Sequence, residues 1–115
     1  MDKVLLIVPP VSIPKDRANF NVNFPIGLGY IAAVLEQASY EVIILDTVVE
    51  KLEQETLIPG KHNLMRVGLT FEEITRFIRD ARPNYVGITS MFSKQHENAV
   101  LTAQAVKNAD SEIPV

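Results

Sequence analysis

The stretch "RPNYVGITSMFSKQHENAV", residues 82–100, contains the junction on which the fold turns. Pro83 ends any helix before it, because the residue preceding a proline is pushed out of the helical region. "YVGITS" then reads as a short strand, residues 85 to 89, and "QHENAVLTAQAVKNA" as a helix with Ala99, Ala103 and Val106 facing inward. Between them stand Thr89, Ser90, Met91, Phe92 and Ser93, hydroxyls flanking two large apolar side chains. A strand that passes through small polar residues into a helix is the unit from which parallel α/β sheets are made.

Working back toward the start, "GLTFEEI" announces another helix: Thr70 can cap it, Glu73 can reach back in a capping box, and Phe71, Ile74, Phe77 and Ile78 form its apolar face. "YEVIILD" is a second strand ending at Asp46. "PIGLGYIAAVLEQASY" predicts an amphipathic helix over residues 25 to 38, with Pro25 suited to the first position and Leu28, Ile31, Ala32, Leu35 and Ala38 at helical spacing. "KVLLIV", Lys3 to Val8, is a continuous aliphatic run closed by Pro9-Pro10, as expected of a strand buried on both faces. Three strands alternating with three helices predict a flavodoxin-like (Rossmann-like) parallel sheet with right-handed crossovers. Toward the other end, "SEIPV" looks like the opening of a fourth strand. The expectation is therefore one domain over residues 1–115, cut off after the third helix at the start of strand 4. The connection from Thr47 to Leu69 exceeds the roughly two to six residues usual in α/β units. It reads as a lid or as a disordered stretch, part of it a short helix around Val48 to Gln54.

Composition narrows the function classes. A chain of 115 residues that is 47% hydrophobic can bury one modest core. Its net charge of -3 argues against nucleic-acid binding, which depends on releasing counterions with basic residues, and against attraction to anionic membranes. No apolar run approaches the roughly 18 residues of a membrane span, and the first residues lack the layout of a signal peptide, so a cytoplasmic protein is expected. With no cysteine, residues 1–115 offer no disulfide, thiolate nucleophile, zinc–thiolate site or iron–sulfur ligand.

Several motifs fail on position. "GLGYIA", Gly27 to Ala32, satisfies the dinucleotide fingerprint, and Asp46 follows at about the right distance. Those glycines should form the turn directly after the first strand, yet they lie beyond Pro9-Pro10 and inside a predicted helix, where they read as allowing close helix–sheet contact. A receiver-type phosphoacceptor would need acids where the prolines stand, and a flavodoxin phosphate loop would need glycines and hydroxyls directly after Val8. His62 and His96 have no partner at metal-ligand spacing, so no metal site is assigned. Ser93 with His96 lacks an orienting acid, which removes hydrolase chemistry.

In a sheet of order 2-1-3-4-5 the first and third strands are neighbours, and the crevice at their carboxyl ends is where such folds bind ligands. Pro9 and Pro10 would project from one side of it, and Thr89, Ser90 and Ser93 from the other. Hydroxyls beside a helix N-terminus suit a phosphate or a nucleotide-like tail. They serve equally well as a helix cap and a strand-end bond.

The ordered set "KVLLIVPP", "FPIGLGYIAAVLEQASYEVIILD", "GLTFEEI", "RPNYVGITSMFSKQHENA" and "VKNADSEIPV" resembles the N-terminal cobalamin-binding domain of B12-dependent radical S-adenosylmethionine (SAM) enzymes. It is most similar to those labelled anaerobic magnesium-protoporphyrin IX monomethyl ester cyclases, where a like insertion precedes the second helix. The resemblance implies a corrinoid cofactor whose nucleotide tail lies beside Thr89, Ser90 and Ser93, with Met91 and Phe92 as apolar walls and Pro9, Pro10 and Val11 shaping the opposing rim. The histidine motif that ligates cobalt in the methionine synthase branch is absent after Val8, and the family's Gly-Gly would follow Val115. SAM and the 4Fe–4S cluster would belong to a downstream radical SAM domain, and catalysis, by methyl transfer or another radical transformation, to the whole enzyme. Residues 1–115 alone are expected to bind cobalamin weakly or not at all, and a cut sheet exposes an edge strand that invites pairing with another copy. The rival expectation is a non-catalytic interaction or regulatory domain of the same topology, its crevice filled by side chains.

Overall fold

The computed structural model describes residues 1–15, 26–90 and 93–115. Strand β1 (Lys3–Val8) is the centre of a three-stranded parallel sheet, flanked by β3 (Glu41–Asp46) on one side and β6 (Tyr85–Ile88) on the other. Lys3 pairs with Glu41 through to Val8 with Asp46, and Val4 with Tyr85 through to Ile7 with Ile88. This is the flavodoxin-like arrangement expected, with the first and third of the anticipated strands adjacent. Because side chains alternate along a strand, β1 feeds two cores. Leu5 and Ile7 pack with Ile74 and Ile78 of α3 (Phe71–Ala81) and with Ala105 and Val106 of α4 (His96–Ala109). Val4 and Leu6 point to the opposite face, against Leu28 and Ala32 of α1 (Ile26–Gln37).

The boundaries of α3 follow from its sequence. Thr70 Oγ1 accepts from the Glu73 N–H at 3.1 Å while Glu73 Oε1 accepts from the Thr70 N–H at 2.9 Å, the reciprocal capping box. At the other end Arg82 turns left-handed, and its N–H donates to Ile78 O before Pro83. Helix α1 departs from expectation on one face: Leu28 and Ala32 are buried and Leu35 half-buried, but Ile31 and Ala38 are exposed. Pro25 lies outside the described residues.

The 47–69 connection contains the short helix anticipated there, though shorter and starting one residue earlier, and the rest of it forms a hairpin that the sequence reading did not anticipate. Asp46 caps a single helical turn, α2 (Thr47–Glu50), accepting from the N–H groups of Val48 and Val49 at 3.1 and 3.2 Å. Strands β4 (Glu55–Ile58) and β5 (Lys61–Val67) then form an antiparallel hairpin around Pro59-Gly60, with Gly60 at φ +78°. Its third strand, β2 (Val11–Pro14), arrives directly from β1 through Pro9-Pro10, giving a small sheet of order β2-β5-β4 at the carboxyl end of the parallel one. The joint between the two is tight. Thr47 Oγ1 donates to Val8 O at 2.7 Å, the Leu69 N–H donates to Thr47 O, and Gly68 (φ +123°) passes so close that a Cβ there would sit 2.9 Å from Thr47 O and 3.3 Å from the Pro10 Cβ. At the far end, Ile113 is buried in the α3/α4 core and Pro114 O accepts from the Val86 N–H on the edge of β6 away from β1.

Candidate functional site

The period-two alternation of β6 decides which of its residues can meet a ligand. Val86 turns into the α3/α4 core, so Tyr85, Gly87 and Thr89 face the α1 side, where Tyr85 meets Tyr40 edge-on with ring centroids 6.5 Å apart. Thr89 lies one residue beyond the strand and is held by its N–H, which donates to Ile7 O at 3.1 Å. Its half-buried side chain stands at the end of a cleft of about 340 Å³ between α1 and the carboxyl ends of β1 and β6. Among the described residues, Leu6, Gly27, Leu28, Ile31, Gly87 and Ile88 also line it.

Two glycines keep this cleft open. A Cβ on Gly27 would meet nothing within 4 Å, so this glycine borders empty space and does not serve the close helix–sheet contact expected of it. On the opposite wall, a Cβ on Gly87 would come within 2.9 Å of the Leu6 Cδ2. Among the described residues none of the lining side chains is charged, and the Thr89 hydroxyl is the one polar side-chain group. A larger depression, about 480 Å³, runs along the outer groove of α3 and α4 past Arg76 and Arg79; no strand residue lines it, and it is remote from the carboxyl-end crevice.

The other anticipated residues fall in different places. Ser90 is exposed, Ser93 opens a single 3-10 turn (Ser93–Gln95) leading into α4, and Met91 and Phe92 lie outside the described residues. Pro9 and Pro10 are buried at the joint beneath the small sheet, and half-buried Val11 starts β2. They line no part of the cleft, because the small sheet has taken up the rim that they were expected to form.

A polar cluster that sequence reasoning missed joins this small sheet to the start of α4. The Gln95 amide pairs with the backbone of Ser12 in both directions, accepting from its N–H at 2.9 Å and donating to its carbonyl at 3.0 Å. Asn98 Nδ2 donates to Ser12 Oγ and to Gln95 Oε1, and Asn98 Oδ1 accepts from Arg66 Nε at 2.9 Å. Asn98 and Arg66 are both buried, and the Arg66 guanidinium lies 4.9 Å from the centroid of the Phe71 ring. Burial lowers the Arg66 pKa, and the nearby Glu97 charge opposes that shift. The cluster pins the segment just after the hydroxyl loop. No local signal betrays it, since its members come from residues 12, 66, 95 and 98.

His62 and His96 are both exposed, and among the described residues no group of three or more acidic or histidine side chains converges to hold a metal ion. Asp46 spends its carboxylate on capping α2, which leaves the dinucleotide reading without its ribose acid. No helix among the described residues is long and apolar enough to cross a membrane.

Comparison with known proteins shows the family of the chain. The family model described as "B12 binding domain" matches residues 20–115. The cytidylyl-2-hydroxyethylphosphonate methyltransferase of Streptomyces wedmorensis is 38% identical over 96 residues, covering 84% of this chain and 18% of that relative. An uncharacterized methyltransferase of Pyrococcus horikoshii is 27% identical over 111 residues, covering 96% of this chain and 20% of its own length. The chain thus spans about a fifth of the length of the curated relatives it matches. No solved structure matches it significantly. With five-sixths of its residues inside one family model and its cleft where this topology receives ligands, the chain belongs to the B12-binding domain family.

Proposed function

We propose that the chain is the cobalamin-binding module of a methyltransferase of the B12-dependent radical SAM type, and that the nucleotide tail of the corrinoid enters the cleft between Gly27, Gly87 and Thr89. The observation that carries this reading is the cleft itself. It lies at the carboxyl ends of adjacent parallel strands, it is bordered by two glycines, and its lining among the described residues is uncharged, with the Thr89 hydroxyl as its polar side-chain group. That chemistry fits a flat, largely apolar group on a polar tether. Thr89 would hydrogen-bond the tail at the cleft end, and Ser90 and Ser93 would bind its more polar part. Met91 and Phe92, which lie outside the described residues, would serve as the apolar walls that the family resemblance implies. Pro9, Pro10 and Val11 act at one remove, by seating the small sheet that holds the loop through Gln95.

When bound, the corrinoid supplies a cobalt centre able to carry a methyl group. SAM and a 4Fe–4S cluster would be held by a radical SAM domain elsewhere in the whole protein. Both relatives bear the name methyltransferase, which favours methyl transfer over the magnesium-protoporphyrin cyclase label. The reaction class is carried over and the phosphonate substrate is not, since only 18% of that relative is matched.

The test is titration of the full-length protein with hydroxocobalamin, read in the visible spectrum. Saturable binding, weakened about 2- to 150-fold by Thr89→Val with Ser90→Val, is expected from the loss of one or two net hydrogen bonds of roughly 0.5–1.5 kcal/mol each. Saturable binding with unchanged affinity in that double variant would remove the tail from this cleft, and absence of binding would remove the cofactor.

A further inference from the structure

The residue that the backbone places at the N-cap of α4 does not cap it. Gln95 gives no side-chain bond to the first turn of its helix, a position where serine, threonine, asparagine and aspartate are the usual occupants. Its amide turns instead to β2. Ser12 stands opposite Arg66 on the outer strand of the small sheet, so the edge of β2 away from β5 offers main-chain groups to a neighbour. Gln95 takes both groups of Ser12, with Oε1 2.9 Å from its nitrogen and Nε2 3.0 Å from its carbonyl oxygen, the pair of bonds that a further strand would supply. Asn98, 1% exposed, fixes the amide in that orientation by donating to Gln95 Oε1 at 2.9 Å and to Ser12 Oγ at 3.0 Å.

Both ends of the hydroxyl-bearing connection are thus tied to one short piece of chain. At its start the Thr89 N–H donates to Ile7 O, and just past Ser93 the Gln95 amide grips Ser12, further along the same segment. Between those two anchor points lie Pro9 and Pro10, both buried, whose rings fix φ and leave the segment little freedom. We infer that Gln95 is a positioning residue for the cofactor: without touching the ligand, it sets where Thr89, Ser90 and Ser93 meet the nucleotide tail. The inference rests on the proposed contact of those hydroxyls with the tail. Groups that bind a ligand must be held to within about 0.5 Å of their productive place by the residues behind them. A connection tied down only at Thr89 would have to be ordered by the ligand itself, which lowers affinity. The small sheet thereby acts on binding from outside the described lining of the cleft.

The experiment measures hydroxocobalamin and cobinamide, a corrinoid without the nucleotide tail, on the full-length protein by equilibrium dialysis. The parent is compared with Gln95→Met, which keeps the length of the side chain and removes its hydrogen bonds. The parent is expected to hold cobalamin tighter than cobinamide. In Gln95→Met cobalamin is expected to weaken about 3- to 10-fold with cobinamide unchanged, because cobinamide has no tail for the hydroxyls to meet. Should Gln95→Met fail to fold, Gln95→Asn, whose amide is a methylene too short to reach Ser12 from the same backbone, is read in the same way. A preference for cobalamin that survived the substitution undiminished would overturn the positioning role and leave the tail contact standing. No preference in the parent would overturn the tail contact, and this inference with it. Equal weakening of both corrinoids, together with a lower urea midpoint, would show that Gln95 serves the fold alone.

Discussion

On the α3/α4 side of the parallel sheet, Leu5, Ile7, Leu45 and Val86 are closed over by Ile74, Ile78, Ala105, Val106 and Ile113, with Phe71 and Phe77 sealing the margin. On the α1 side the buried cluster is smaller, Val4 and Leu6 against Leu28 and Ala32, with Val8, Leu35, Tyr40 and Val42 half-buried around it, and the glycine-walled cleft opens on the same face. Ile31 and Val34 of α1 remain half or more exposed beside it. The difference divides the work between the two faces. One face supplies stability by close packing, and the other leaves open the cleft into which the corrinoid tail is proposed to enter.

The division can be tested by truncating one residue on each side. Ile74→Ala, at a fully buried position in the larger cluster, is expected to cost about 3–5 kcal/mol, and Leu28→Ala on the thin side about 2 kcal/mol, read from urea unfolding. Equal losses would erase the distinction. Asn98→Ala probes the joint between the hydroxyl loop and the small sheet. It strips partners from Arg66 Nε and Ser12 Oγ, and the expected loss is roughly 2–3 kcal/mol by the same measurement. A loss below about 0.5 kcal/mol would mean that water replaces the cluster without penalty.

Glu73 gives a smaller, pH-dependent effect confined to the sealed side. Its carboxylate accepts from the Thr70 N–H and from Gln54 Nε2, with Lys51 Nζ at 3.5 Å. The Thr70 backbone bond, followed by the Gln54 bond, lowers its pKa from 4.5 to about 2. A carboxylate whose folded pKa is depressed stabilises the fold above its unfolded pKa, and that contribution disappears as pH falls from about 4.5 toward 2. Glu73→Gln should therefore cost about 1 kcal/mol at pH 7, and its stability should converge on the wild type through that acid window. A gap that stayed constant from pH 7 to pH 2 would contradict the assignment.

Much of this was legible because it is local. The aliphatic run of β1, the Thr70/Glu73 capping box and the stop at Pro83 each lie within a few residues, so periodicity and capping rules reach them. The antiparallel sheet was not legible. Its β2 strand is four residues long and ends in Pro14, its partner begins about fifty residues later, and β5 alternates weakly, with Lys61, His62 and Asn63 all exposed. The site was half visible. Thr89 followed from strand order, whereas Gly87 and Ile31 acquire meaning only once β6 lies beside β1 with α1 overhead. Pro9, Pro10 and Val11 lie at the joint with an unforeseen sheet, apart from the described lining of the cleft.

The smallest expected effect separates the two faces most cleanly, because it has opposite signs for stability and for binding. Gly27 sits in the first turn of α1 with nothing within 4 Å of where a Cβ would be, and its φ is not positive. Gly27→Ala should therefore stabilise the chain by up to about 0.5–1 kcal/mol, through helix propensity and a less flexible unfolded state. The added methyl group also lies in the wall of the cleft, so cobalamin affinity of the full-length protein should fall severalfold while the melting temperature rises by a few degrees. A residue chosen for packing would lose stability on substitution, and one without a role would leave affinity unchanged. Stability gained and affinity lost in the same variant would identify Gly27 as a position kept empty for the ligand.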